Sequence, residues 1–239
     1  MPRLAAIALA THLNTLQHTP LSAEVAASQI AHGDVAHHVV DADGLLGLDP
    51  LRATDLLDAL RAVQLLAPGS WLLALPRPGA LGVLRGPVEL NSAALEAGAA
   101  VVHEGGVCAF VPHRVGPAVQ WRVLRAHRPF PVPSSAETER ALSTELLRAA
   151  DALAELQAAS GQRPQLLDGP VLAPGYPARQ ERAAERALRL VQVTEAGLSD
   201  DREVLHSFAL QRRTELLRRL HTVASDALCA ACAWPAAER

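Results

Sequence analysis

Two motifs in the sequence have the residue types and spacing of known chemistry. Cys229-x-x-Cys232 has the spacing of a zinc or redox pair, and the loop Gly79-x-x-Gly82-x-x-x-Gly86 has the composition of a phosphate cradle. Structural zinc needs four ligands, and a redox pair opens a helix rather than ending one. The glycine spacing matches neither the dinucleotide fingerprint nor the Walker A motif. We therefore interpret both motifs as structural, and we predict no metal site and no cofactor.

The ten histidines are the next candidates for catalysis or metal binding. His37 and His38 are neighbours on a predicted strand, so their side chains point to opposite faces and do not share an ion. His103, His113 and His127 fall near predicted strand ends, where they could converge. The sequence contains no H-E-x-x-H zinc motif and no G-x-S-x-G nucleophile elbow. No catalytic residue is therefore assigned.

The chain has 239 residues, a net charge of −3 and no lysine, so all 22 basic side chains are arginines. The absence of lysine excludes Schiff-base chemistry, pyridoxal phosphate anchoring, the Walker A lysine and the kinase lysine. Alanine, leucine and arginine dominate, which is typical of a GC-rich genome. The nearly balanced charge predicts neither a nucleic acid nor a membrane as partner.

Charge is nevertheless uneven along the chain. Residues 34–58 hold six aspartates and one arginine, whereas residues 105–136 contain no acidic side chain. Four arginines of or near this acid-free stretch are candidates for binding an anion: Arg114, Arg122, Arg125 and Arg128. A basic edge strand is also an ordinary device against edge-to-edge pairing, so the anion site remains one of two interpretations.

The sequence predicts a cytoplasmic protein. Three cysteines do not make a disulfide framework. His12 and Asn14 interrupt the apolar start of the chain, which fits an amphipathic helix better than a signal peptide. No apolar run approaches the roughly 18 residues of a membrane span.

Apolar periodicity and Pro/Gly breaks divide residues 1–133 into helices and short strands. The predicted helices cover 3–17, 21–31, 50–66 and a short stretch that ends near Gly98. The predicted strands cover 35–41, 71–75, 99–103, 106–112 and 118–126, and Glu104-Gly105-Gly106 is a hairpin signal.

The segment PFPVP at 129–133 precedes a helical remainder. Ser134-x-x-Glu137 predicts a capping box for a helix that ends at Gly161. Two more helices are predicted, one over 178–195 closed by Gly197, and one capped by Ser199 that runs to about residue 233.

These elements predict an α+β fold with a mixed or largely antiparallel sheet of about five strands, packing helices and a helical C-terminal region. We predict two domains, an α+β region at 1–133 and a helical region at 134–239. One continuous domain is equally compatible with the pattern.

The stretch WLLALPRPGALGVLRGPVELNSAALEAGAAVV, followed by GVCAFVPHRVG, covers about residues 71–116. It resembles a recurring passage of conserved actinobacterial proteins of unknown function. The resemblance implies a bacterial cytoplasmic origin and transfers no catalytic residue.

Two functions from different classes remain. The first is a non-catalytic binding or regulatory protein that acts through protein–protein contacts. The alternative is a small enzyme, a transferase or hydrolase, that acts on an anionic substrate through the Gly79–Gly86 loop or the basic region 103–127.

The broad apolar stripe of the last helix motivates the first hypothesis. Leu217 and Leu228 lie on this stripe, which is wider than one short partner helix covers. We expect part of it to pack on the domain and part on another protein or a second copy of the chain, with these two leucines as candidate contact residues.

Overall fold

The computed structural model describes residues 2–156, 169–199 and 207–235. The chain forms two compact units. The first consists of Met1–Val132, Val171–Pro177 and Cys232–Arg239, and the second of Pro133–Pro170 and Ala178–Ala231. The division into domains at 1–133 and 134–239 stays a prediction.

The first unit contains a six-stranded sheet in the order β2-β1-β6-β5-β4-β3. Strand β1 pairs in parallel with β6, and the other neighbouring strands pair antiparallel. The strands are β1 (His37–Val40), β2 (Thr54–Asp55), β3 (Trp71–Ala74), β4 (Ala100–His103), β5 (Cys108–Val115) and β6 (Ala118–Arg125). The α+β class with a mixed sheet is therefore confirmed, and the hairpin forms where expected, with the Gly106 N–H donating to the His103 carbonyl at 2.9 Å.

Four helices of the first unit flank or connect these strands: α1 (Pro2–His18), α2 (Ala23–Ile30), α3 (Leu56–Val63) and α4 (Val88–Ala97). Leu90 and Ala94 of α4 pack into one hydrophobic core with Leu72, Val102 and Val111 of the sheet. The neighbouring residues along each strand point to the opposite face of the sheet. On that face the aromatic side chains of β3, β5 and β6 pack against one another. Trp71, Phe110 and Trp121 form that row, with centroid separations of 5.5 and 6.4 Å.

Helix α3 begins later than the sequence predicts. The pattern places its start at Pro50, but the helix begins at Leu56, because Asp55 is the cap and accepts a hydrogen bond from the Asp58 N–H at 2.9 Å. The loop before it is held by the buried carboxylate of Asp41, which accepts the N–H groups of Leu45 and Leu46, both at 2.8 Å. Local side-chain hydrogen bonds therefore replace the first helical turns.

The second unit contains α5 (Ser135–Glu155), α6 (Ala178–Ser199) and most of α7 (Ser207–Cys232). The capping box of α5 is confirmed, since Ser134 and Glu137 exchange both hydrogen bonds. The prediction that Gly197 closes α6 is wrong, because the helix continues to Ser199. A Cβ at Gly197 would lie 3.0 Å from Leu217 Cδ1, so this glycine makes room for a neighbouring helix. The predicted helix end at Gly161 and the acidic first turn after Ser199 lie outside the described residues.

In the part of the chain that the structure describes, no helix has both the length and the apolar character that crossing a membrane requires.

Candidate functional site

The structure separates the four arginines predicted to bind an anion. Arg114 pairs with Asp34 at 3.0 Å, Arg122 with Glu89 at 3.2 Å, and Arg125 with Asp43 at 3.5 Å. Asp34 and Asp43 belong to the aspartate-rich stretch 34–58, so the acidic and basic segments partly neutralise each other in the fold. Arg128 is exposed and makes no ion pair with any described residue.

Arg128 lies on a surface groove of about 850 Å³ in the first unit, which we name the arginine–aromatic groove. The volume is within the ~300–1,000 Å³ of typical ligand pockets. Apolar rings and prolines line it together with polar side chains: Pro129, Phe130, Pro131, Trp234 and Pro235, and His18, Ser70, Arg85, Glu104 and Arg128. Leu72, Val132 and Ala233, which also line it, are shared with the hydrophobic core.

Two backbone segments that are far apart in the sequence build one wall of this groove. The Phe130 N–H donates to the Val83 carbonyl at 2.8 Å, and the His127 N–H donates to the Gly86 carbonyl at 2.9 Å. This pairing brings the Arg85 guanidinium over the Phe130 ring, 4.7 Å from its centroid, a cation–π contact. The Gly79–Gly86 loop therefore contributes Arg85, and the acid-free stretch 105–136 contributes Arg128, to the same groove.

Aromatic stacking holds another part of the wall. The Trp234 ring stacks on His18, with centroids 4.7 Å apart and planes 12° apart, and meets Tyr176 edge-on at 5.0 Å. The lining carboxylate, Glu104, accepts a hydrogen bond from the Ser70 N–H at 3.2 Å. Glu104 thus has a backbone partner, whereas Arg85 and Arg128 have no carboxylate partner among the described residues.

Asn14 links strand β3 to Tyr176 and to the C-terminal segment that carries Trp234. Its amide nitrogen donates to the Trp71 carbonyl at 2.9 Å and to the Tyr176 hydroxyl at 3.1 Å, and its Oδ1 accepts the Trp71 N–H at 2.7 Å. The Tyr176 hydroxyl donates to the Cys232 carbonyl at 2.8 Å, two residues before Trp234. Burial raises the pKa of Tyr176 above its ordinary value, so this hydroxyl stays protonated and remains a donor.

The structure shows the surroundings of three of the candidate histidines, His37, His38 and His103. Strand alternation is confirmed for His37, which is buried, and His38, which is exposed. His37 Nε2 lies 3.1 Å from Asp34 Oδ2, and His37 Nδ1 accepts the Trp121 Nε1–H at 3.2 Å. Both ring nitrogens are thus occupied. His103 is buried, and burial lowers its pKa, which keeps the imidazole neutral.

Replacing Asp34 with asparagine tests the Asp34–His37–Arg114 cluster. Burial acts to raise the pKa of Asp34, but the hydrogen bond and charge of His37 and the charge of Arg114 outweigh it, so the pKa is lowered from 3.8. The carboxylate therefore stabilises the fold above pH 3.8, and this contribution is lost as the pH falls through the lowered pKa. We expect Asp34→Asn to lose about 1 kcal/mol of unfolding free energy at pH 7 and a smaller amount at about pH 3 in urea titrations.

Asp58→Asn is the control for this prediction, because its carboxylate is exposed and pairs only at 3.3 Å with exposed Arg61 among the described residues. It should change stability little at either pH. An equal loss at both pH values for Asp34→Asn would contradict the electrostatic explanation.

Leu217 and Leu228 are buried in the chain, with 7 % and 0 % of their surface exposed. Leu217 contacts the second unit's own helix α6 at Gly197. Association through these leucines would require their present covering to open, and their role in binding stays a prediction.

Cys108 has the environment of an inert, protonated thiol. Burial raises the pKa of Cys108 to about 12, which keeps the thiol protonated at neutral pH. Cys229 and Cys232 lie in the last turn of α7, and neither forms a disulfide. Across residues 2–156, 169–199 and 207–235, no group of three or more His, Cys, Asp or Glu side chains is placed to hold a metal ion.

The fold and the groove define an α+β protein of two compact units with an arginine–aromatic surface groove. The chain belongs to the Rv1486c-like protein family. The model of that family's N-terminal domain matches residues 6–138, and the model of its C-terminal domain matches residues 136–229. No curated protein and no solved structure matches the chain.

The sequence analysis named Arg128, and the Gly79–Gly86 loop of the alternative function contains Arg85, but the other lining residues were not predicted. The lack of acidic residues in 105–136 indicated Arg128 as a candidate. The segment PFPVP predicted only a boundary between two regions of the chain. His18 and Trp234 carry no local signal, because only the tertiary fold brings them to the groove.

Proposed function

We propose that this protein is a non-catalytic binding protein whose arginine–aromatic groove takes up an acidic segment of a partner protein. The observation that supports this most is the position of two arginines, Arg85 and Arg128, on a groove walled by aromatic rings and prolines. Neither arginine has a carboxylate partner among the described residues. A carboxylate beside an aromatic or proline side chain would satisfy both features.

The polar contacts of the groove favour binding over catalysis. The His18 ring is stacked on Trp234, and Glu104 accepts a backbone N–H, so these contacts give each of the two side chains a structural partner rather than a nucleophile. The second candidate is a transferase or hydrolase for an anionic substrate. It rests on the same two arginines, which would hold the anion.

Calorimetric titration with two blocked peptides tests the proposal. The acidic probe is acetyl-Glu-Phe-Glu-Pro-Phe-amide, and the neutral probe carries glutamine in place of both glutamates. We expect the wild-type chain to bind the acidic probe at least about tenfold more tightly, a difference of about 1.4 kcal/mol. The double variant Arg85→Ala/Arg128→Ala should lose this preference, because it removes both cations that meet the carboxylates.

Arg122→Ala is the matched control, since it removes a half-buried arginine that is paired with Glu89 and does not line the groove. It should bind like the wild type. Equal binding of both probes, or an unchanged preference in the double variant, contradicts the proposal. Turnover of p-nitrophenyl phosphate that depends on Arg85 and Arg128 would instead favour the enzyme.

We also propose that the protein works in the cytoplasm of an actinobacterium. The lysine-free composition and the three cysteines, none of which forms a disulfide, support this assignment, as does the resemblance of residues 71–116 to conserved actinobacterial proteins. In this proposal the partner is a protein or a second copy of the chain, with no role for nucleic acid or membrane.

A further inference from the structure

A row of arginines runs along one side of α6 in the second unit. Arg179, Arg182, Arg186 and Arg189 follow the spacing i, i+3, i+7, i+10, and all four are exposed. This spacing of alternating three- and four-residue steps keeps the residues on one helical face, as it does where two helices lie side by side.

Three of these arginines line a small groove of about 200 Å³. Leu142 of α5, Ala183 of α6 and Ala227 of α7 provide its apolar surface. Its carboxylate, Glu139, pairs with Arg179 at 3.4 Å. Arg182 and Arg186 make no ion pair with any described residue.

The position of these charges is unfavourable without a partner. The N-terminal end of a helix carries the positive end of the macrodipole, so cations in its first turns are destabilising. Arg179 and Arg182 nevertheless lie within the first five residues of α6, where Glu139 compensates Arg179. An external carboxylate beside Arg182 and Arg186 would extend the same compensation along the helix.

The acidic residues beside the arginine row indicate which kind of anionic partner fits it. Glu181 and Glu185 lie next to the arginines on the same helix, and residues 177–239 hold ten arginines against nine acidic residues. This alternation repels a continuous phosphate backbone but suits a helix that carries both signs in separate rows. We propose that the α6 arginine row binds an acidic amphipathic helix of a partner protein, with the partner's glutamates facing Arg182 and Arg186.

This surface is independent of the arginine–aromatic groove, because the two share no residue and belong to different units. Variants of one site therefore serve as controls for the other. Loss of the groove function in Arg85→Ala/Arg128→Ala should leave binding to α6 unchanged.

A charge-swap experiment on the full chain tests the proposal. The probe is a blocked amphipathic helical peptide of three heptads with leucine at its apolar seam and glutamate beside the seam, and the second probe carries lysine at the same positions. We expect the wild-type chain to prefer the glutamate peptide at least about tenfold, and Arg182→Glu/Arg186→Glu to prefer the lysine peptide. The preference should weaken at high salt, because exposed charges are screened.

Arg140→Glu/Arg148→Glu is the matched control, since it makes the same change of net charge on α5, and neither residue lines the groove. It should keep the wild-type preference. If Arg182→Glu/Arg186→Glu melts earlier than the wild type, Arg182→Gln/Arg186→Gln replaces it and should abolish the preference without reversing it.

Three results would overturn the inference. One is an equal response of both double variants, which would indicate long-range electrostatics alone. Another is equal binding of the two peptides by the wild type. The third is tight binding of inorganic polyphosphate that needs Arg182 and Arg186 and that the glutamate peptide does not displace.

Discussion

Gly106→Ala should lower the free energy of unfolding by about 3 kcal/mol and distort the arginine–aromatic groove. Gly106 has φ +73°, in the left-handed region that L side chains rarely adopt. A Cβ there would also lie 2.7 Å from both Arg128 Cα and the His127 carbonyl carbon. These are backbone atoms, so the clash is relieved only by moving the segment that carries Arg128 and Phe130.

Gly116→Ala isolates the conformational part of this effect. Gly116 has φ +59°, but a Cβ there meets nothing within 4 Å. We expect it to lose only about 1 kcal/mol. Urea unfolding followed by tryptophan fluorescence measures both variants, because Trp71, Trp121 and Trp234 all belong to the first unit. Equal losses would show that the close approach of residues 106 and 128 costs nothing.

Asn14→Ala should also cost about 3 kcal/mol, because it leaves two buried backbone groups without partners. Strand β3 is the last strand of the sheet order, and the Trp71 N–H and C=O on its open side are both bonded to the Asn14 amide. The side chain therefore takes the place of a further strand at this edge. Alanine cannot bond either group, and Trp71 is fully buried, so water does not replace the amide.

The control is Asn91, the other asparagine of the chain. It lies in α4, and its Oδ1 has no hydrogen-bond partner within the described residues. Asn91→Ala should leave stability unchanged or raise it by a few tenths of a kcal/mol, because alanine is the better helix former. A similar loss in both variants, measured by thermal and urea unfolding, would contradict the role given to the Asn14 amide.

Local signals in the sequence predicted the fold class and several elements. The hairpin at Glu104–Gly106 and the capping box of Ser134 and Glu137 depend on neighbouring residues, and both form. Strand β2 could not be predicted, since two residues carry no periodicity. The parallel pairing of β1 with β6 joins residues about 80 positions apart, as in His37 with Val119, and nothing local encodes it.

The candidate site was less predictable than the fold. Unpaired arginines cannot be told from paired ones in a sequence, because the partners Asp34, Glu89 and Asp43 of Arg114, Arg122 and Arg125 are distant. His12 and Asn14 argue in the sequence only against a signal peptide. In the structure His12 Nε2 lies 2.9 Å from Gln29 Oε1, and Asn14 closes the edge of the sheet.

The hydrogen bonds of Asn14 become available in the order in which the chain is synthesised. Its partners are 57, 162 and 218 residues further along, at Trp71, Tyr176 and Cys232. A ribosome adds about 5–20 residues per second, so roughly 10–30 s separate the translation of Trp71 from that of Cys232. During that interval the partner of Asn14 in strand β3, Trp71, has been synthesised, but Cys232, whose carbonyl also accepts from Asn14, has not. The first unit is thus completed last, and a chain that stops early lacks the residues that close it.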